Sequence, residues 1–252
     1  MRRYVFSRLL LLSTMFMLSY CSSSTDSNSG RLKVLLTDAP ASYNSVTVYF
    51  SEISAHLDSE WVNVLTEPMG VDLLQYSNGQ TYLLASEEVA PGHYTQIRIK
   101  IDSAFADIDG TLHALTVPSG AKTGLKFGPQ FTINEGSTYT LVLDFDANKS
   151  VVKSGQIYKL QPHIRIISQA VSGSVSGTVL NPADAPLAAA IQGEDTLTTS
   201  FVDVNSGNFM LAYLPEGLYT IAVKDSNGLV YKQDDVSVAV GQDNNLGDIT
   251  LQ

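Results

Sequence analysis

Short runs rich in Val, Ile, Thr, Tyr and Phe recur roughly every ten residues from Arg31 onward, and that rhythm restricts the chain to an all-β fold. Such runs include Val46-Thr47-Val48-Tyr49-Phe50, Thr95 to Ile101, Tyr139-Thr140-Leu141-Val142-Leu143 and Gln161 to Ile167, with Gly, Pro, Asn and Asp between them. The run Thr95 to Ile101 alternates: Ile97, Ile99 and Ile101 face a core, while Gln96, Arg98 and Lys100 face water. Asn78-Gly79 and Asp109-Gly110 are tight-turn dipeptides that suit hairpins. No segment reads as a convincing helix. A short one over residues 71–75 or 86–89 is the alternative left open.

The first twenty residues read as an export signal. Arg2, Arg3 and Arg8 make a positive start, and Leu9 to Leu18 make an apolar stretch broken by Ser13 and Thr14. That stretch is shorter than the roughly 20 apolar residues a spanning helix needs. Leu18-Ser19-Tyr20-Cys21 resembles a bacterial lipobox, with Tyr20 where Gly or Ala is usual. Cys21 is the only cysteine, so it has no intramolecular disulfide partner, and it is the expected lipidation site. Residues 21–30 hold nothing apolar after the cysteine and read as a flexible tether. Ser22 after the cysteine, under the sorting rule of enteric-type bacteria, directs the expectation to the outer membrane, with the side that the body faces left open.

Removing residues 1–20 takes away three arginines and no acid, moving the net charge from −10 to −13. That balance argues against nucleic acid and against a peripheral hold on anionic lipid. A domain boundary is expected near residues 168–173, where small residues collect. Residues 171–252 carry ten acids against Lys224 and Lys232, and their length suits a seven-strand sandwich. The expected architecture is therefore two β-sandwich-like domains in tandem, over residues 31–168 and 172–252. Both carry a Pro/Gly turn followed by Tyr at a strand start: Pro91-Gly92-His93-Tyr94 and Pro215-Glu216-Gly217-Leu218-Tyr219. This resembles the corner that ties a crossover to a sandwich strand.

The second segment resembles the carboxypeptidase regulatory-like, transthyretin-type sandwich, a carbohydrate-binding-like fold. Ser176-Gly177-Thr178-Val179, Asn205 to Leu211, Leu214 to Val223, Val238-Ala239-Val240-Gly241 and Leu246 to Leu251 carry the likeness. It implies a non-catalytic accessory module. The first segment resembles the bacterial lipoprotein family named domain of unknown function 4382. The matching residues are Leu36-Thr37-Asp38-Ala39-Pro40, Trp61, Asp72-Leu73-Leu74, Pro91 to Arg98 and Val117-Pro118-Ser119-Gly120. They continue with Thr123 to Lys126, Leu143 to Ala147 and Pro162-His163-Ile164-Arg165. This implies a lipoprotein setting and no assigned activity.

Chemistry-bearing motifs are few. Ser119-Gly120-Ala121-Lys122 and Lys122-Thr123-Gly124 match two motifs of penicillin-recognising serine enzymes. They share one lysine, whereas that mechanism needs two separate elements, and Pro118-Ser119-Gly120 reads as a turn. On a strand, Asp144, Asp146 and Asn148 share one face, opposite Leu143, Phe145 and Ala147. Three oxygen-bearing side chains on one face could hold calcium. The competing reading is a solvated strand end whose acids pair with Lys149 or Lys153. His56, His93, His113 and His163 have no ligand spacing and fall in four β segments. Tyr43, Tyr49, Trp61, Tyr76, Tyr82 and Tyr94 suit either strand packing or a sugar-stacking platform. No cofactor is required by any of these features.

The sequence thus leads to a non-enzymatic, monomeric envelope lipoprotein, held to the membrane by its lipid and binding glycan or an envelope protein. The alternative is a pilus-type or adhesive subunit, and a hydrolase stands last.

Overall fold

In a computed structural model the described residues are 29–65, 67–182 and 185–252. Cys21, the export signal and most of the expected tether lie outside them. No helix among the described residues is long and apolar enough to cross a membrane.

The first half of the described residues holds thirteen strands: β1 Gly30–Ala39, β2 Ser45–Leu57, β3 Glu60–Asn63, β4 Met69–Asp72, β5 Tyr82–Val89, β6 Gly92–Ile108 and β7 Thr111–Thr116, then β8 Leu125–Phe127, β9 Phe131–Ile133, β10 Thr138–Asp146, β11 Val151–Ser154, β12 Ile157–Leu160 and β13 Ile164–Ser168. They form a four-stranded sheet in the order β13-β10-β1-β5 and a nine-stranded sheet built around β2 and β6. The inner faces meet over one core, with Leu32, Val34 and Leu36 of β1 and Leu141, Leu143 and Phe145 of β10 among its fully buried members. Strand β6 is long enough to pair with β9, β8 and β7 in turn along one edge, and with β2 along the other. Its core residues run Tyr94, Ile97, Ile99, Ile101, Ala104 and Ala106. The two three-residue steps mark register shifts against β2, where bulges turn the next side chain back to the core.

Seven strands follow: β14 Ser172–Val179, β15 Leu187–Gln192, β16 Asp195–Phe201, β17 Asn208–Pro215, β18 Gly217–Lys224, β19 Val230–Val238 and β20 Asp243–Ile249. They make one sheet in the order β17-β14-β20 and another in the order β16-β15-β18-β19, enclosing a second core that includes Val175, Phe209, Leu211, Tyr219 and Ile221. Each half is thus a sandwich with its own apolar interior. Each also ties a strand start to the preceding turn by the same bond. The Tyr94 hydroxyl donates to the Ala90 carbonyl at 2.7 Å, and the Tyr219 hydroxyl to the Pro215 carbonyl at 2.8 Å. In both, the ring is buried and its one polar atom is satisfied four residues back.

Several local expectations are corrected. Residues 71–75 include a 3₁₀ turn at Leu73–Gln75, while residues 86–89 lie in β5. Ser119 opens a five-residue helix, α1 (Ser119–Thr123), where a turn was expected; Pro118 precedes it in the extended conformation that suits a helix entry. Residues 161–163 are not in a strand, because the Gln161 and His163 amides turn to the Ser150 carbonyl and hydroxyl. Asp109-Gly110 closes the β6–β7 hairpin with both residues at positive φ. Asn78-Gly79 has the same positive φ values but closes no hairpin, since β4 pairs with β2 and β5 with β1.

Candidate functional site

The outer face of the four-stranded sheet is where the two sandwiches meet. Val142 is fully buried and Ile167 nearly so, yet neither belongs to either core. Thr37 and Asp144 are buried on the same face. The second sandwich sets the edges of its two sheets, β16 and β17, against Thr37 and Asp144. Thr37 and Asp144 line a narrow space with Thr198, Thr199, Met210, Ala212 and Tyr213. An exposed sheet edge is a row of unpaired peptide groups, so covering it by a neighbouring domain removes a pairing liability.

The Asn78-Gly79 turn is the fastening. The Asn78 Oδ1 accepts from the Met210 amide of β17 at 2.5 Å and from the Ser200 hydroxyl of β16 at 3.1 Å. One side-chain oxygen therefore bridges the edges of both sheets of the second sandwich. A side chain on Gly79 would come within 2.6 Å of the flexible Met210 sulfur and push it aside, and the φ of 79° is one that glycine adopts freely. Tyr213 sits beside it at a positive φ of 56°, a strained backbone held by the interface.

Beside this contact the halves leave a cleft of about 520 Å³. One wall carries Asp144, Asp146, Lys149, His163 and Arg165; the other is Glu194 of the β15–β16 turn with Asp195 and Thr196 at the start of β16. Asp144 accepts from Arg165, its register partner on β13, through Nε at 2.9 Å and through Nη2. Burial nevertheless raises the Asp144 carboxyl above its ordinary range against the pull of Arg165. Asp146 accepts from the Lys149 backbone amide and ion-pairs with Lys149 Nζ, each at 2.9 Å. Both cations of this wall are thus matched locally, and among the described residues no ion pair crosses to Glu194 or Asp195.

Asp38 stands behind the same strand ends. It continues the core-facing row of Leu32, Val34 and Leu36, and its Oδ1 accepts from the Ala147 amide at 2.9 Å. Its Oδ2 is buried without a hydrogen-bond partner among the described residues. Burial pushes this carboxyl well above the usual range, which favours the neutral acid.

The expected calcium set is only partly brought together. Asp144 and Asp146 line the cleft, and Leu143, Phe145 and Ala147 are fully buried. Strand β10 ends at Asp146, however, and Asn148 is exposed in a short helix, α2 (Ala147–Ser150). Asp146 causes the break, because its carboxylate caps the Lys149 amide and turns the chain into the helix. No group of three or more His, Cys, Asp or Glu among the described residues is arranged for a metal. The histidines are apart: His56 lies tilted against Trp61, His93 meets Thr132, His113 packs on Tyr158, and of the four only His163 lines the cleft. Of the aromatics, Tyr94 is buried, Tyr76 and Tyr82 pack together against the core, and Tyr49 meets Phe105. Glu194, Asp195 and the bridging role of Asn78 escaped the sequence, since turn composition says nothing about which surface a turn meets.

A family model described as Domain of unknown function (DUF4382) matches residues 29–162. No curated protein matches. The fold is similar to the Bacillus anthracis TIE protein at 11% identity and a TM-score of 0.25, covering 89% of this chain and 51% of that one. It is similar to BcpA, the major pilin subunit of Bacillus cereus, at 12% identity and a TM-score of 0.22, covering 89% and 70%. A fimbrial protein from Bacteroides ovatus gives 9% identity and a TM-score of 0.24, covering 88% and 50%. The chain thus spans about half the length of the first and last of these proteins. At TM-scores this low the likeness carries no functional weight.

Proposed function

We propose, for a chain that belongs to the family described as Domain of unknown function (DUF4382), that it is a non-enzymatic envelope lipoprotein whose two docked sandwiches form one binding module. The observation that carries this reading is the cleft of about 520 Å³ built from both halves, a volume suited to a small ligand or to one residue of a polymer. The lipobox-like segment before Cys21 supports the anchor, and Ser22 after it supports the outer-membrane address. The second sandwich is taken as a carboxypeptidase regulatory-like module, on the residues around Ser176 and Pro215 that resemble it. Glycan of the envelope is the ligand class proposed.

Cosedimentation with purified peptidoglycan sacculi tests the reading. Wild type should pellet with the sacculi, and Glu194→Ala with Lys149→Ala should weaken that retention. Wild type left wholly in the supernatant contradicts the glycan assignment. The fibre-subunit alternative requires self-association, so polymers growing with concentration in analytical ultracentrifugation would replace the binding reading.

A further inference from the structure

A second surface lies on the opposite side of the first sandwich, on the outer face of the nine-stranded sheet, and does not depend on the cleft. Strand β3 brings Trp61 directly opposite His56 on β2, with ring centroids 4.9 Å apart. The Arg98 guanidinium carbon lies 4.4 Å from the Trp61 ring centroid and the Lys126 Nζ 5.5 Å from it. Such cation–ring contacts are favourable, but their arrangement carries a conflict. Arg98 on β6 and Lys126 on β8 are cross-strand register partners, and like charges directly opposite each other destabilise a sheet.

The local acid relieves only the Arg98 side of it. Glu52 bonds Arg98 through Oε1 at 2.7 Å and Lys100 through Oε2 at 2.6 Å. Hydrogen bonding by Lys100, and then by Arg98, holds its carboxyl below the ordinary range. Both oxygens are committed, and Lys126 has no ion-pair partner among the described residues. Asp102, next along β6, is engaged by the Ser51 hydroxyl at 2.8 Å. The result is an exposed cation beside a half-buried indole, on a chain whose net charge is −10.

We infer that the surface around Trp61 binds an acidic saccharide. The part of the half-buried indole left open beside Arg98 and His56 supplies apolar contact for the C–H groups of a sugar, and Lys126, the cation without an ion-pair partner among the described residues, supplies the counter-charge for its carboxylate. An anion there offsets the charge of Lys126, which stays unpaired while Glu52 holds Arg98. The acidic balance of the whole chain disfavours a long polyanion such as nucleic acid and favours a ligand that meets this patch alone.

Trp61 is the only tryptophan in the chain, so intrinsic indole fluorescence reports this surface and no other. The full-length chain in neutral detergent is titrated with oligogalacturonate, with neutral galactose oligomers of equal length, and with polyglutamate. A saturable change with oligogalacturonate is expected, matched by calorimetric heat, with neither control reproducing it. Lys126→Gln, an exposed change, should weaken binding about fivefold, the scale of one solvent-exposed ion pair. No heat with oligogalacturonate overturns the inference. So does an equal response to the neutral oligomer, equal binding of polyglutamate, or unchanged affinity in Lys126→Gln.

Discussion

The side-chain oxygen of Asn78 accepts the Met210 backbone amide across 132 residues of sequence, at 2.5 Å. Because Asn78 also takes the Ser200 hydroxyl, one turn residue of the first sandwich fixes the edges of both sheets of the second. The cleft between Arg165 and Glu194 lies beside that fastening.

Asn78→Gly keeps a residue at ease with the φ of 55° and removes only the bridging oxygen. It leaves a half-buried Met210 amide unpaired, which costs about 1–3 kcal/mol. Small-angle scattering should show a larger radius of gyration, and proteolysis near residues 168–172 should accelerate. Unchanged scattering with unchanged proteolysis would mean that the rest of the interface holds the halves without Asn78.

The two tyrosine corners should behave alike. Tyr94→Phe and Tyr219→Phe each remove one hydroxyl and leave a carbonyl acceptor without its donor, costing about 1–2 kcal/mol in denaturant unfolding. A loss only at Tyr94 would show that the second corner is incidental to the second sandwich.

Asp38 gives a pH dependence with a definite sign. Its folded-state carboxyl is raised above its unfolded value by burial, so its contribution to stability is complete below the unfolded value, near pH 4, and is lost as pH rises through the folded one. Asp144 is raised in the same direction. Asp38→Asn keeps an oxygen for the Ala147 amide and carries no charge. It should raise the Tm at pH 7 relative to wild type and flatten the fall in Tm between pH 4 and pH 7. A variant less stable than wild type at pH 7 would show that the ionised carboxylate is favoured in its site.

Calcium at millimolar concentration should leave the Tm within error. Asp144 and Asp146 already hold Arg165 and Lys149, and Asn148 sits on the helix rather than beside them. A rise in Tm that Asp146→Asn abolishes would restore the metal reading of Asp144, Asp146 and Asn148.

Much of the fold could be read from periodicity. The alternation of Ile97, Ile99 and Ile101 placed a core face correctly, and the Pro/Gly-Tyr repeats marked both corners, because these signals act between residues close in sequence. The strand face assigned through Asn148 failed because a capping carboxylate on Asp146 outweighs continuation of the strand. Asn78-Gly79 identified a turn but not its partner. The Trp61 surface was visible only as an aromatic and scattered bases, since Arg98 and Lys126 meet through register, not through spacing.

The most direct test of a single docked module is residual dipolar coupling of backbone amides in both sandwiches. The account predicts that couplings from β1, β6 and β10 and those from β14, β15 and β18 fit one alignment tensor. Two tensors of different magnitude or orientation would mean that the halves reorient independently, and the cleft between them would not be a binding site.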